Sequence, residues 1–139
     1  MHVRPFRPSD TESVVRLWEA CGLVRTWNDP RRDIQRKLAT QPELFLVGED
    51  SGTVIASVMA GFDGHRGWIY YLAVDPARQR SGHGRTMVDA AELLLTDLGC
   101  PKLNLQIRAE SEGVAGFYRA LGFVQDDVVS LGKRLIVDD

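Results

Sequence analysis

"DPARQRSGHGRTM", residues 75–87, stands between the apolar stretch "WIYYLAV" (68–74) and a run in which Met87, Val88, Ala91, Leu94, Leu95 and Leu98 recur at helical spacing up to Gly99. An aromatic and β-branched segment that gives way to a 3.6-residue period reads as a strand-to-helix turn. "KLNLQIRA" (102–109) follows as a strand. Residues 68–74, 84–98 and 102–108 are therefore expected to form a β-α-β unit whose strands are parallel, joined by a right-handed crossover. Ligands in such sheets favour the carboxyl ends of parallel strands, where the quoted segment lies. A helix begins with unpaired N–H groups and the positive end of its dipole, and glycines there let a phosphate approach with no Cβ in the way. Gly82 and Gly84 supply that opening, and Arg80 and Arg85 add charge around a multiply charged anion. A tight turn with solvated arginines is the competing reading, and a glycine pair alone does not separate the two. No G-x-x-x-x-G-K-[ST] is present, and no third glycine completes a dinucleotide fingerprint.

Upstream, "SDTE" (9–12) reads as a capping box, with Ser9 accepting from the Glu12 N–H, ahead of a helix whose stripe is Val14, Val15, Leu17, Trp18 and Cys21 and whose stop is Gly22. "NDPRRDIQRKL" (28–38) signals a second helix, with Asp29 as cap and Pro30 in the first helical position. "ELFLVGE" and "TVIASVMAGF" flank the turn "DSG", and "DGHRG" separates the latter from "WIYYLAV", which gives a three-stranded antiparallel meander. Downstream come a helix around "EGVAGFYRALG" and a closing pair of strands, "FVQDD" and "VVSLGKRLIV". The whole is an α/β fold: a mixed, mostly antiparallel sheet flanked by helices, in a single domain over residues 1–139.

Composition narrows the function. At 139 residues the chain suits one core. Seventeen Lys and Arg against 19 Asp and Glu, a formal charge of −2, give no global field for holding nucleic acid. No apolar run reaches the ~18 residues of a membrane span and the start lacks a signal segment, so the expectation is a cytoplasmic protein with no membrane partner. Cys21 and Cys100 lie far apart, and His65 and His83 sit beside glycines without ligand partners, so no metal is expected. Monomer and homodimer both remain open.

"LAVDPARQRSGHGRTM" resembles the acetyl-CoA-binding motif of the GNAT superfamily of N-acetyltransferases, [RQ]-x-x-G-x-[GA] after a strand ending in V-x-P, matched by Gln79, Gly82 and Gly84. "GFYRALGF" (116–123) is similar to the same superfamily's F-Y-x-x-x-G-F segment, and the two motifs occur in the right order with a helix and a strand between them. "WNDP", "LFLV", "DGHRG" and "VSLGKRL" resemble a small bacterial subgroup, the YpeA type. The resemblance implies the GNAT fold and acetyl-CoA as acetyl donor. It implies backbone hydrogen bonds to pantetheine from Leu72, Ala73 and Val74, a pyrophosphate cradle of Gln79, Arg80, Ser81, Gly82, His83, Gly84 and Arg85, and a splay between the strand over 68–74 and the next. Many members place a pantetheine-binding asparagine seven residues before the tyrosine; Ser111 stands there in this chain.

The same resemblance makes Tyr118 the acid that protonates the departing thiolate, a role a phenol of pKa near 10 can fill at neutral pH. In a related group a glutamate acts as base where this chain has Gln106, which cannot accept a proton. Asp63, His65, Tyr70 and Glu110 are the alternatives by proximity. The acceptor amine, unidentified, is expected to enter near "LVRTWNDP", with Arg25, Trp27, Asn28 and Tyr70 as contacts; core sealing by Trp27 and strand packing by Tyr70 are the plainer roles. A binding module that holds acetyl-CoA without transferring it is the alternative, favoured by Gln106 and opposed by Tyr118.

Overall fold

The computed structural model describes residues 1–109 and 111–138. Five strands form one sheet in the order β1 (His2–Pro5), β2 (Phe45–Asp50), β3 (Thr53–Phe62), β4 (Gly67–Val74) and β5 (Leu103–Asn104), antiparallel except for β4 with β5. The meander and the parallel β-α-β unit are thus both present. β2 and β3 read as continuous apolar runs rather than alternating ones because both faces of the sheet are covered. On one face α1 (Thr11–Ala20) and α2 (Pro30–Leu38) bury Val14, Trp18 and Ile34 against Phe45, Val47 and Ala73. On the other, α3 (His83–Asp97) and α4 (Glu112–Ala120) bury Met87, Val88, Ala91, Leu95 and Tyr118 against Leu46, Ala56, Val58 and Ile69.

The helices follow their sequence signals with one exception. The Asp29 carboxylate accepts the Arg31 N–H at 2.9 Å and Pro30 opens α2. Gly22 and Gly99 take the left-handed conformation at the ends of α1 and α3. Ser9, however, caps nothing: residues Pro8–Asp10 form a 3₁₀ turn, and it is Asp10 that accepts a backbone N–H, from Arg7 at 2.8 Å. The cause is Arg4, whose guanidinium grips both Asp10 oxygens at 2.8 and 2.9 Å and draws that side chain into the role.

Two strand expectations are corrected. The strand over 102–108 is reduced to Leu103–Asn104, and the closing pair over 123–137 forms no regular strands. A strand needs a hydrogen-bonded neighbour, and a two-residue β5 offers the tail no ladder to join. Val124, Leu131 and Leu135 accordingly stay exposed. Among the described residues no helix is long and apolar enough to cross a membrane.

Candidate active site

β4 carries the irregularity on which the site is built. Met59 pairs with Tyr70 and Ser57 with Ala73, so Val58 alone on β3 faces both Tyr71 and Leu72 on β4. This is a β-bulge, and it turns side chains over: Ile69 packs towards α3, whereas Tyr71 packs towards α1. Tyr71 adopts φ +53°, a conformation that costs an L-residue roughly 1–2 kcal/mol. Three contacts hold it there. The Tyr71 carbonyl accepts from Ser57 Oγ at 2.8 Å, its ring stacks on Trp18 with centroids 3.7 Å apart, and its hydroxyl donates to Asp33 Oδ2 at 2.6 Å.

On its other side β4 pairs with β5 only at Gly67 and Trp68. Residues 69–74 therefore present an edge with no strand beside it among the described residues. Of its backbone groups, the Val74 carbonyl is already engaged, by Gln79 Nε2 at 3.1 Å and by Cys21 Sγ at 3.2 Å.

Residues 79–85 gather where this edge meets the start of α3. Gly82 is the helix N-cap at φ +82°, no side chain caps the first turn, and a Cβ on Gly82 would meet nothing within 4 Å. No described residue accepts a hydrogen bond from the N–H groups of residues 83–85, which leaves them available as an anion-binding helix start requires. Gly84 differs: a Cβ there would lie 3.2 Å from Phe117 Cζ and 3.8 Å from Val74 Cγ2, so its bareness lets α4 pack close. Arg80 is exposed at φ +65° and forms no ion pair with a described residue. Arg85 stands 4.0 Å from Asp89, Ser81 is exposed and His83 half-buried. Arg78 is occupied elsewhere, bridging to Asp50 at 2.5 Å.

A cleft of about 1370 Å³ opens between β4, β5, α4 and the tail. It brings together Asn28, Tyr70, Gln106 and Tyr118, along with Arg108, which sequence reasoning had not singled out. Tyr118 is buried with its ring edge-on to Phe117 and Phe123, and burial pushes its phenol up to about 12, so the proton stays on through neutral pH. Burial also raises the Tyr70 phenol, with Asp63 adding to it. Gln106 donates to Ser130 Oγ. The tail is fastened across this cleft by Lys102 to Asp126 at 2.9 Å, Arg134 to Asn28 at 3.0 Å, and Asp138 to the Asp29 N–H at 2.9 Å.

The other acceptor-side residues stand apart. Arg25 folds back onto the Gly22 carbonyl at 2.6 Å, and Trp27, 45% exposed, lies under the Arg108 guanidinium at 5.7 Å, so it reaches the cleft only through that contact. Ser111 forms the N-cap of α4 without a side-chain cap bond, and its own N–H donates to the Arg108 carbonyl. Asp63 accepts the N–H groups of His65 and Arg66 in the β3–β4 turn and does not itself line the cleft, and Glu110 lies outside the described residues. Among the described residues no group of three His, Cys, Asp or Glu is arranged to hold a metal. The brace on Tyr71 had one sequence signal, a lone serine inside the apolar run "VIASVMAG".

Comparison with known proteins agrees with this architecture. A model of the acetyltransferase (GNAT) family matches residues 11–123. An acetyltransferase of Yersinia enterocolitica is 49% identical over 138 residues, 99% of this chain and 98% of that protein. Among solved structures, an acetyltransferase from Agrobacterium tumefaciens described as putative superposes with a TM-score of 0.78 at 20% identity, covering 96% of this chain and 100% of its own. Ard1 from Thermoplasma volcanium superposes with 0.77 at 27% identity, covering 88% and 82%.

Proposed function

The chain belongs to the GNAT acetyltransferase family, and from that premise we propose that it moves an acetyl group from acetyl-CoA to a primary amine of a small molecule, peptide or protein by direct attack in a ternary complex, in the manner of the YpeA-type subgroup. Family membership implies the donor. The observation that carries the reading for this chain is the open edge of β4 over 69–74 running into the uncapped, unobstructed start of α3 at Gly82. Residues 72–74 would hold the pantetheine arm and residues 79–85 the pyrophosphate.

In the reaction the amine nitrogen bonds to the thioester carbonyl carbon, the C–S bond breaks, the nitrogen loses a proton and the sulfur gains one. Tyr118 supplies the second proton: its raised pKa keeps the phenol protonated, and it lines the cleft. No carboxylate stands at position 106, and the Gln106 amide cannot take the first proton. That favours an acceptor that deprotonates easily. At pH 7 an α-amine of pKa 7.7–8.0 costs roughly 1 kcal/mol to deprotonate and a lysine side chain about 4.6 kcal/mol. The acceptor class proposed is therefore a low-pKa amine.

Calorimetry with CoA and acetyl-CoA, followed by thiol release across a panel of amines, tests this. The wild type is expected to bind both carriers and to turn over α-amines faster than lysine side chains, and Tyr118→Phe to lose about 10²-fold or more in turnover while keeping its CoA affinity. Absence of binding heat from folded protein would overturn the reading. Wild-type turnover in Tyr118→Phe would remove that residue from the reaction, and carrier binding without thiol release with any amine would favour a binding module.

A further inference from the structure

We propose that Ser57 is a positioning residue for the thioester carrier: it never touches the carrier, but it fixes the bulged edge of β4 that receives it. The inference rests on the acetyl-CoA reading above. Ser57 and Trp18 have no exposure at all, and they form a directed chain of hydrogen bonds. Trp18 Nε1 donates to Ser57 Oγ at 2.9 Å, which commits the single hydroxyl hydrogen of Ser57 to the Tyr71 carbonyl at 2.8 Å. That carbonyl belongs to the residue at φ +53°, the point where β4 leaves its register with β3.

A backbone held in an unfavourable conformation persists only where its surroundings over-determine it. Here the ring of Tyr71 is pinned by Trp18 and its hydroxyl by Asp33, and the Ser57 hydroxyl holds the backbone carbonyl itself. The residues that follow, Leu72, Ala73 and Val74, inherit their orientation from that peptide. Ser57 thus sits on the α1 side of the sheet yet sets the geometry of the edge that faces α3. A serine in this place is costly for a buried strand unless its hydroxyl is paired, and it is paired twice.

The test separates positioning from mere stability by comparing two variants. Ser57→Ala removes the bond to the Tyr71 carbonyl; Trp18→Phe keeps that bond, loses the indole donor and leaves a smaller ring against Tyr71. Both are expected to lower the unfolding temperature. CoA affinity, measured by calorimetry well below either transition, should fall about 10-fold in Ser57→Ala and less than about 3-fold in Trp18→Phe, in line with the loss of one buried hydrogen bond. If Ser57→Ala does not fold, Ser57→Cys, with a weak donor in nearly the same volume, carries the test with a loss of at least about 3-fold expected. Wild-type CoA affinity in the position-57 variant, or equal losses in the two variants, would overturn the inference. Failure of the wild type to bind CoA would instead overturn the proposed function.

Discussion

Gly82 and Gly84 look interchangeable as letters, and the structure gives them different work. Gly82 occupies φ +82° with open space above it, whereas Gly84 faces the ring of Phe117. An alanine at 82 must adopt the left-handed conformation, so Gly82→Ala is expected to lower the unfolding free energy by about 1–2 kcal/mol. At 84 a Cβ presses on a half-buried ring by a few tenths of an ångström, while the helix gains part of the ~1 kcal/mol by which alanine exceeds glycine. Gly84→Ala should therefore stay within about 1 kcal/mol of wild type. Urea unfolding of the two variants side by side measures this, and a larger loss at 84 than at 82 would reverse the assignment. That both glycines open a helix was readable from residues 75–87. Which one serves the backbone and which serves packing was not, because Phe117 arrives from a segment some thirty residues on.

Elements whose signals are local behaved as their sequence implied. α2 is the clearest, with Asp29 capping the Arg31 N–H, Pro30 in the first turn, and Arg36 and Lys37 near the negative end of its dipole. Asp29→Ala should cost about 1 kcal/mol by chemical denaturation, with no change in CoA affinity; a loss under ~0.3 kcal/mol would mean that solvent caps this helix equally well. Elements whose form depends on a distant partner were not legible. The 3₁₀ turn at Pro8–Asp10 exists because Arg4, outside the helix, claims Asp10. The bulge at Tyr71 exists because Ser57 and Trp18 meet its backbone and ring from two other elements. Residues 123–137 carry β-branched and apolar residues suited to strands, but pairing belongs to two strands at once, and the sheet ends at β5. The candidate site follows the same division: the glycine turn and Tyr118 were readable from motifs, while Arg108 and the brace on Tyr71 emerge only from the packing.

Across the whole molecule, the tail is drawn over the cleft by polar contacts rather than by a ladder, and the last of these fixes its far end to α2. The Asp138 side chain has no exposure and accepts from Arg36 Nη2 at 2.5 Å, from Arg36 Nη1 at 3.2 Å and from the Asp29 N–H at 2.9 Å. Arg36, the Asp29 N–H and Arg32 together hold its carboxyl down at about 2, against an ordinary 3.8. Because the folded value lies below the unfolded one, the stabilisation is fully present above the unfolded pKa and is lost as pH falls through about 2. Asp138→Asn keeps an acceptor for the Asp29 N–H and removes the charge. Its unfolding temperature should fall below wild type at pH 7, and the gap should close as pH drops from about 4 towards 2, where the wild-type carboxyl is itself protonated. Asp10, lowered chiefly by Arg4, adds acid sensitivity to both proteins and cancels in the difference. A gap that holds constant or widens with acid would show that the Asp138 charge does not fasten the tail. Because Val128, Val129 and Ser130 line the cleft, the same variant should also raise the KM for the amine more than that for acetyl-CoA, whose proposed contacts lie at the opposite end of β4.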